Sequence, residues 1–128
     1  MKQYSDFEPF DFETLELYKK SIDYVDFTYN AVAEFPQAER FELTSQFKRA
    51  VNSISLNIAE GYGELIALAL RYLRITRGSI RECLGCTNIA LRRGFFNEKI
   101  YRESRNRLTE LSKLAAGYKK YLERKNNN

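Results

Sequence analysis

Four arginines recur at three- and four-residue spacing near the middle of the chain: Arg71, Arg74, Arg77 and Arg81. On a helix this spacing sets their guanidinium groups one above another along one side. A guanidinium is planar and always charged, and it grips phosphate oxygens through parallel N–H donors, so such a row suits a phosphate backbone. By helical phase, Arg71, Arg74 and Arg81 share one face, with Arg77 at its edge. Lys48 and Arg49 earlier in the chain, and Lys99, Arg102 and Arg105 later, extend the basic surface. Tyr62, Tyr72, Tyr101, Tyr118 and Tyr121 lie near these stretches and offer rings on which bases could stack. The same cations could also form a plain solvated face, or pair with Glu13, Glu16, Asp23 and Asp26 of an acidic first helix.

Other chemistry is thin. The chain has no histidine, which removes Ser-His-Asp and Cys-His nucleophile systems, histidine metal sites and the usual neutral-pH proton shuttle. Cys83-Leu84-Gly85-Cys86 is a CxxC, but redox pairs of that kind sit at a helix N-terminus after a strand, and this one falls mid-helix. Two thiols without imidazoles also fall short of the four ligands of structural zinc. The pair reads as reduced, buried, small apolar side chains. No carboxylates stand at a spacing for acid–base work, and no glycine-rich phosphate loop is present. The expectation is a non-enzymatic chain with no cofactor and no metal. Asn57 and Glu60 are locally unfavourable, one a poor helix-interior residue and the other a carboxylate in a last turn. With Gly61 they are expected to tie the corner between helices 2 and 3.

These groups need elements to position them. At 128 residues the chain makes about one domain and can bury roughly two thirds of its surface. Two prolines and six glycines are too few for a sandwich or barrel with frequent turns. The net charge of +4 hides a split. Residues 1–47 hold 4 Lys/Arg against 10 Asp/Glu, a local charge of −6, and the remainder carries +10. The opening Met1-Lys2-Gln3-Tyr4-Ser5-Asp6 lacks the apolar core of a secretory signal. The apolar run from Leu65 to Leu70 is far short of the roughly 18 residues a membrane span needs. A cytoplasmic protein is expected, with no membrane partner.

Residues 1–10 read as an arm, 11–125 as a helical bundle and 126–128 as a disordered tail. Four helices are predicted near 12–34, 38–60, 65–92 and 98–123. The first is capped by Asp11 or Thr14 and carries Leu15, Tyr18, Ile22, Val25, Tyr29 and Val32; Pro36 ends it. The second carries Phe41, Leu43, Phe47, Ala50, Val51, Ile54 and Ile58, and stops at Gly61-Tyr62-Gly63, where glycine can take a left-handed cap. The third has one stripe through Ile66, Leu70, Leu73, Ile80, Leu84 and Leu91 and a second through Leu68, Tyr72, Ile75, Cys86 and Ile89. One stripe suffices for a bundle, so Leu68, Tyr72 and Ile75 are the expected contact with another chain. The fourth, capped by Asn97, carries Ile100, Tyr101, Leu108, Leu111, Leu114, Ala115, Tyr118 and Leu122. The fold class is all-α, an antiparallel up-down four-helix bundle, assembled as a ring-like homo-oligomer.

The segment Glu39-Arg40-Phe41-Glu42-Leu43-Thr44-Ser45-Gln46-Phe47-Lys48-Arg49-Ala50, continued by Ser53-Ile54-Ser55-Leu56-Asn57-Ile58-Ala59-Glu60-Gly61, is specific. It resembles the four-helix-bundle family named for proteins encoded in intervening sequences of bacterial 23S rRNA genes. Phe10-Asp11-Phe12-Glu13-Thr14-Leu15 and Leu73-Arg74-Ile75-Thr76-Arg77-Gly78-Ser79 also fit, so the similarity spans residues 10–123. The resemblance implies a homopentamer. It also implies kinship with the accessory proteins of diversity-generating retroelements, whose basic pentamer partners a reverse transcriptase and RNA. It carries over no catalytic residue. Glu42 stands where the family usually has glycine and Ser55 where it usually has proline, so any kink in helix 2 is expected to be weaker. The apolar 65–70 segment replaces a polar one and is expected to extend helix 3.

The combined expectation is an oligomeric accessory protein that binds RNA or DNA or serves as a scaffold. The alternative is a protein–protein assembly module that binds no nucleic acid.

Overall fold

Small and apolar residues at three- and four-residue spacing make four helices in the structure, a computed structural model that describes residues 1–126. Helix α1 runs Glu16–Val32, α2 Leu43–Gly61, α3 Ile66–Arg92 and α4 Glu98–Asn126. No strand occurs among the described residues. α1 packs on α2, α2 on α3, α3 on α4 and α4 on α1, while the diagonal pairs α1/α3 and α2/α4 do not pack together. Joined by short connections, the four form an antiparallel bundle.

The helix ends differ from the sequence expectation for local reasons. Asp11–Thr14 is a separate 3₁₀ turn, stapled by the Glu13 carboxylate accepting from the Phe10 N–H at 2.9 Å. Thr14 donates back to the Asp11 carbonyl at 2.7 Å, so neither Asp11 nor Thr14 caps α1. Extended Leu15 (φ −71°, ψ 127°) precedes the helix instead. The second helix likewise starts at Leu43 rather than 38. Gln37–Glu39 forms a 3₁₀ turn, and Glu42 (φ −116°, ψ −110°) interrupts helical geometry. At the other end α2 stops within Gly61-Tyr62-Gly63 as expected: Gly61 is its last helical residue, and Gly63 (φ 80°) supplies the left-handed one. Leu65 stays outside α3, which begins at Ile66. Asn97 caps α4 by accepting from the Ile100 N–H at 2.8 Å. Asn126, expected in the tail, is the last residue of α4, and positions 127–128 lie outside the described residues.

The face that α1 buries also differs. Leu17, Ser21, Tyr24, Thr28 and Val32 point inward; of the expected stripe only Val32 is fully buried, Leu15, Tyr18, Ile22 and Val25 lie half-buried on its flank, and Tyr29 is exposed. Small hydroxyl side chains at the centre hid this stripe from a count of apolar residues. α3 buries Leu73 and Ile80 of its first expected stripe and Cys86 of its second, together with Ala69, Thr76, Ser79, Cys83, Thr87 and Ala90, which neither stripe included. Phe41, expected on the buried face of α2, is exposed.

The buried hydroxyls pin every interface between neighbouring helices. Ser21 meets Ser55 at 2.9 Å between α1 and α2, and Thr76 donates to the Ile54 carbonyl at 3.3 Å between α3 and α2. Thr87 meets Ser104 at 2.8 Å between α3 and α4, and Tyr24 reaches the same Ser104 at 2.8 Å from α1. Such bonds satisfy polar atoms that would otherwise be costly inside a core. Thr28 Oγ1 is the buried side-chain atom left without a partner among the described residues.

Candidate nucleic-acid interface

α3 lies between α2 and α4, so it shows a different flank toward each. On the α2 flank, Leu68, Tyr72, Ile75 and Ser79 follow one another at helical spacing. Tyr72 donates to the Glu60 carboxylate at 3.3 Å, and Ser79 donates to Ser53 at 2.8 Å, which fixes this line against α2. Ile75 between these anchors and Leu68 before them stay exposed, as do Ile89 further along α3 and Leu56 on α2. Asn57 bonds within its own helix, to the Ser53 carbonyl at 2.8 Å and the Ser53 hydroxyl at 3.0 Å, and so reaches α3 only through Ser53. Gly61 acts by closeness: a Cβ there would lie 2.7 Å from Tyr72 Cβ. The charge of Glu60 is the main cause that raises the Tyr72 hydroxyl above the ordinary phenol range.

The α4 flank is open. Arg74, Arg77 and Arg81 line a cleft of about 390 Å³ with Lys119 from α4, over Leu70 and Leu73, and Glu123 is the one carboxylate in its wall among the described residues. A second cleft of about 320 Å³ continues from Arg81 past Ile80, Leu84 and Leu108 to Arg105 and Lys113. Arg81 borders both, so they make one groove along the α3/α4 seam.

The row is therefore rotated from the sequence expectation. Arg74 and Arg81 lie in the groove together with Arg77, expected at the edge of the face, while Arg71, expected on the face, is exposed outside it. Lys48 sits over the Tyr29 ring on the α1/α2 side at 4.8 Å, and Arg49 is exposed on the same helix, diagonal to α4. Arg102 pairs with Glu98, one turn earlier on α4, while Arg105 donates to the Tyr101 hydroxyl at 2.8 Å. The sequence reading missed Lys113 and Lys119. The phase of α4, centred on Leu111, Ala115 and Leu122, places Lys119 on the same side as Arg105 and could have revealed it.

Ion pairs among the described residues are Lys20–Glu110 at 3.3 Å, Arg102–Glu98 and Arg107–Glu103 at 3.0 Å. None involves Arg71, Arg74, Arg77 or Arg81. Because α1 is diagonal to α3, its carboxylates do not answer the row within one chain. A larger cleft of about 650 Å³ lies by α1 and the α3–α4 turn, but Asp23, Asp26 and Glu34 line it and would repel phosphate. The two cysteines are buried, and burial pushes the Cys83 thiol well up and that of Cys86 to about 11, so both stay protonated and unreactive near neutrality.

A family model described as 23S rRNA-intervening sequence protein matches residues 13–117. The chain belongs to that family. No match was found among curated proteins. The part of this 23S rRNA-intervening sequence protein family member that the match covers includes all of α2 and α3 and stops just short of Lys119. No helix among its described residues is long and apolar enough to cross a membrane.

Proposed function

We propose that this chain is a non-enzymatic, cytoplasmic accessory protein that binds the phosphate backbone of RNA or DNA in the α3/α4 groove. The observation that supports this is convergence without neutralisation. Among the described residues, Arg74, Arg77, Arg81, Arg105, Lys113 and Lys119 line one groove with a single carboxylate, and no ion pair uses the row arginines. Phosphate contacts of this kind are insensitive to sequence and weaken steeply with salt through counterion release. Filter binding of the Arg74→Gln/Arg77→Gln/Arg81→Gln variant checks it. The salt slope should fall by about three units with sequence preference unchanged. Absence of binding by the unmodified protein even at about 50 mM salt would remove the reading.

The protein acts as a ring-like homo-oligomer, a pentamer by the family resemblance, in contact through Leu68, Tyr72 and Ile75. A nucleic-acid enzyme such as a reverse transcriptase is a further partner on the same resemblance. The second reading, a pure assembly module, is favoured by the exposed apolar line on the α2 flank. Under it the arginine variant would come apart in sizing chromatography, and nucleic-acid affinity would be negligible before and after.

A further inference from the structure

A separate cleft adjoins the basic groove near the start of α3. About 400 Å³ in volume, it lies toward the α2–α3 turn and is walled by Tyr62, Tyr118 and Tyr121. Tyr118 and Tyr121 hold their rings near parallel, 14° apart with centroids 6.2 Å distant. Tyr62 and Tyr121 are 36% and 47% exposed, so their rings are open to a ligand. Lys125 stands over the Tyr121 ring at 5.4 Å, and Ile66 and Leu122 make an apolar floor. Along α4, Tyr118 and Leu122 of this cleft alternate with Lys119 and Glu123 of the basic groove. Along α3, Ile66 and Ala69 lead directly into Leu70, Leu73 and Arg74. The two clefts thus adjoin around the buried Ala69, Leu73 and Leu122, the aromatic one at the end of the bundle beside Leu15 and the α2–α3 turn, the cationic one on the α3/α4 seam.

We infer that the tyrosine cleft seats an unpaired base of a single-stranded nucleic acid whose phosphates follow the arginine row. This rests on the phosphate reading of the groove and specifies its ligand. A duplex keeps its bases stacked inside and presents only backbone, so it could use the cationic part and leave the tyrosines idle. A single strand uses both. One base stacks on the Tyr121 ring in place of the Lys125 ammonium, which is then free for the neighbouring phosphate. The Glu64 carboxylate in the cleft wall can accept from an exocyclic amino group of that base.

Fluorescence anisotropy tests this with three labelled probes of equal length: a twelve-nucleotide deoxyadenylate strand, an abasic strand, and the deoxyadenylate–thymidylate duplex. At about 50 mM salt the wild type should hold the deoxyadenylate strand about ten-fold tighter than the abasic one. The Tyr62→Ala/Tyr121→Ala variant should lose that gap and keep its salt slope, while Tyr62→Phe/Tyr121→Phe should keep both, since stacking needs only the ring. Circular dichroism checks folding, and if the double variant loses helicity, Tyr121→Ala alone carries the same comparison. A gap that survives in the alanine variant overturns the inference, as does duplex binding equal to that of the strand. Equal binding of abasic and deoxyadenylate strands with a steep salt slope overturns the cleft and leaves the groove standing. No binding of any probe overturns both.

Discussion

The two flanks of α3 are built from the same helical repeat and come out opposite. Toward α2, small residues let the helices close: Gly61 admits Tyr72, and Ser53 and the Ile54 carbonyl receive hydroxyls from Ser79 and Thr76. What stays outside that closed seam is a line of apolar side chains, Leu68, Ile75 and Ile89. Toward α4, long cationic side chains stand on both helices, and the seam opens into a groove. The character of a helix flank is therefore set by the neighbour as much as by its own residues. Two surfaces on one helix can then be altered independently, one expected to serve assembly and the other a polyanion.

The largest effect should come from the apolar flank. Leu68→Glu/Ile75→Glu places carboxylates where an assembled ring has no partner for them. Light scattering should find the mass falling to that of the 15.1 kDa monomer, with phosphate-type binding retained at each groove. An unchanged mass would show that this flank is not the contact.

The closed seam is tested next. Gly61→Ala brings a methyl within 2.7 Å of Tyr72 Cβ, which is no flexible tip, so the helices must part. A loss of about 1–3 kcal/mol in denaturant unfolding is expected, as for overpacking elsewhere. Gly117→Ala on α4 makes the contrast, because a Cβ there meets nothing within 4 Å. It should stabilise by about 0.5–1 kcal/mol through helix propensity. Equal effects at the two glycines would undo the distinction between close and open packing. The smallest effect is expected from Arg74→Gln/Arg77→Gln/Arg81→Gln on assembly itself: sizing chromatography and the melting temperature should not move.

Much of the fold was legible because it was written in periodicity and in a few punctuating residues. Pro36, Gly63 and Asn97 mark the turns, and the apolar residues of α2 from Leu43 onward lie where their spacing put them. The buried face of α1 was not legible, because Ser21 and Thr28 are core residues that look polar until their partners and burial are known. The ends of α1 and α2 were lost to local 3₁₀ turns, which compete with the α-helix over one or two hydrogen bonds. Within the candidate site, the residue types were visible and their convergence was not. Arg77 and Arg71 exchange roles over a modest rotation of α3, and Tyr62 joins Tyr118 and Tyr121 only through packing of chain segments more than fifty positions apart.

The diagonal placement of α1 and α3 has an electrical consequence. With acidic residues gathered in the first third of the chain and the arginine row on the far corner, each bundle carries a lateral dipole moment across its long axis. In the field of a polyanion a free bundle would rotate before contact and arrive groove first. This raises the rate of productive encounter at low ionic strength, and the advantage fades once the Debye length falls below the width of the bundle.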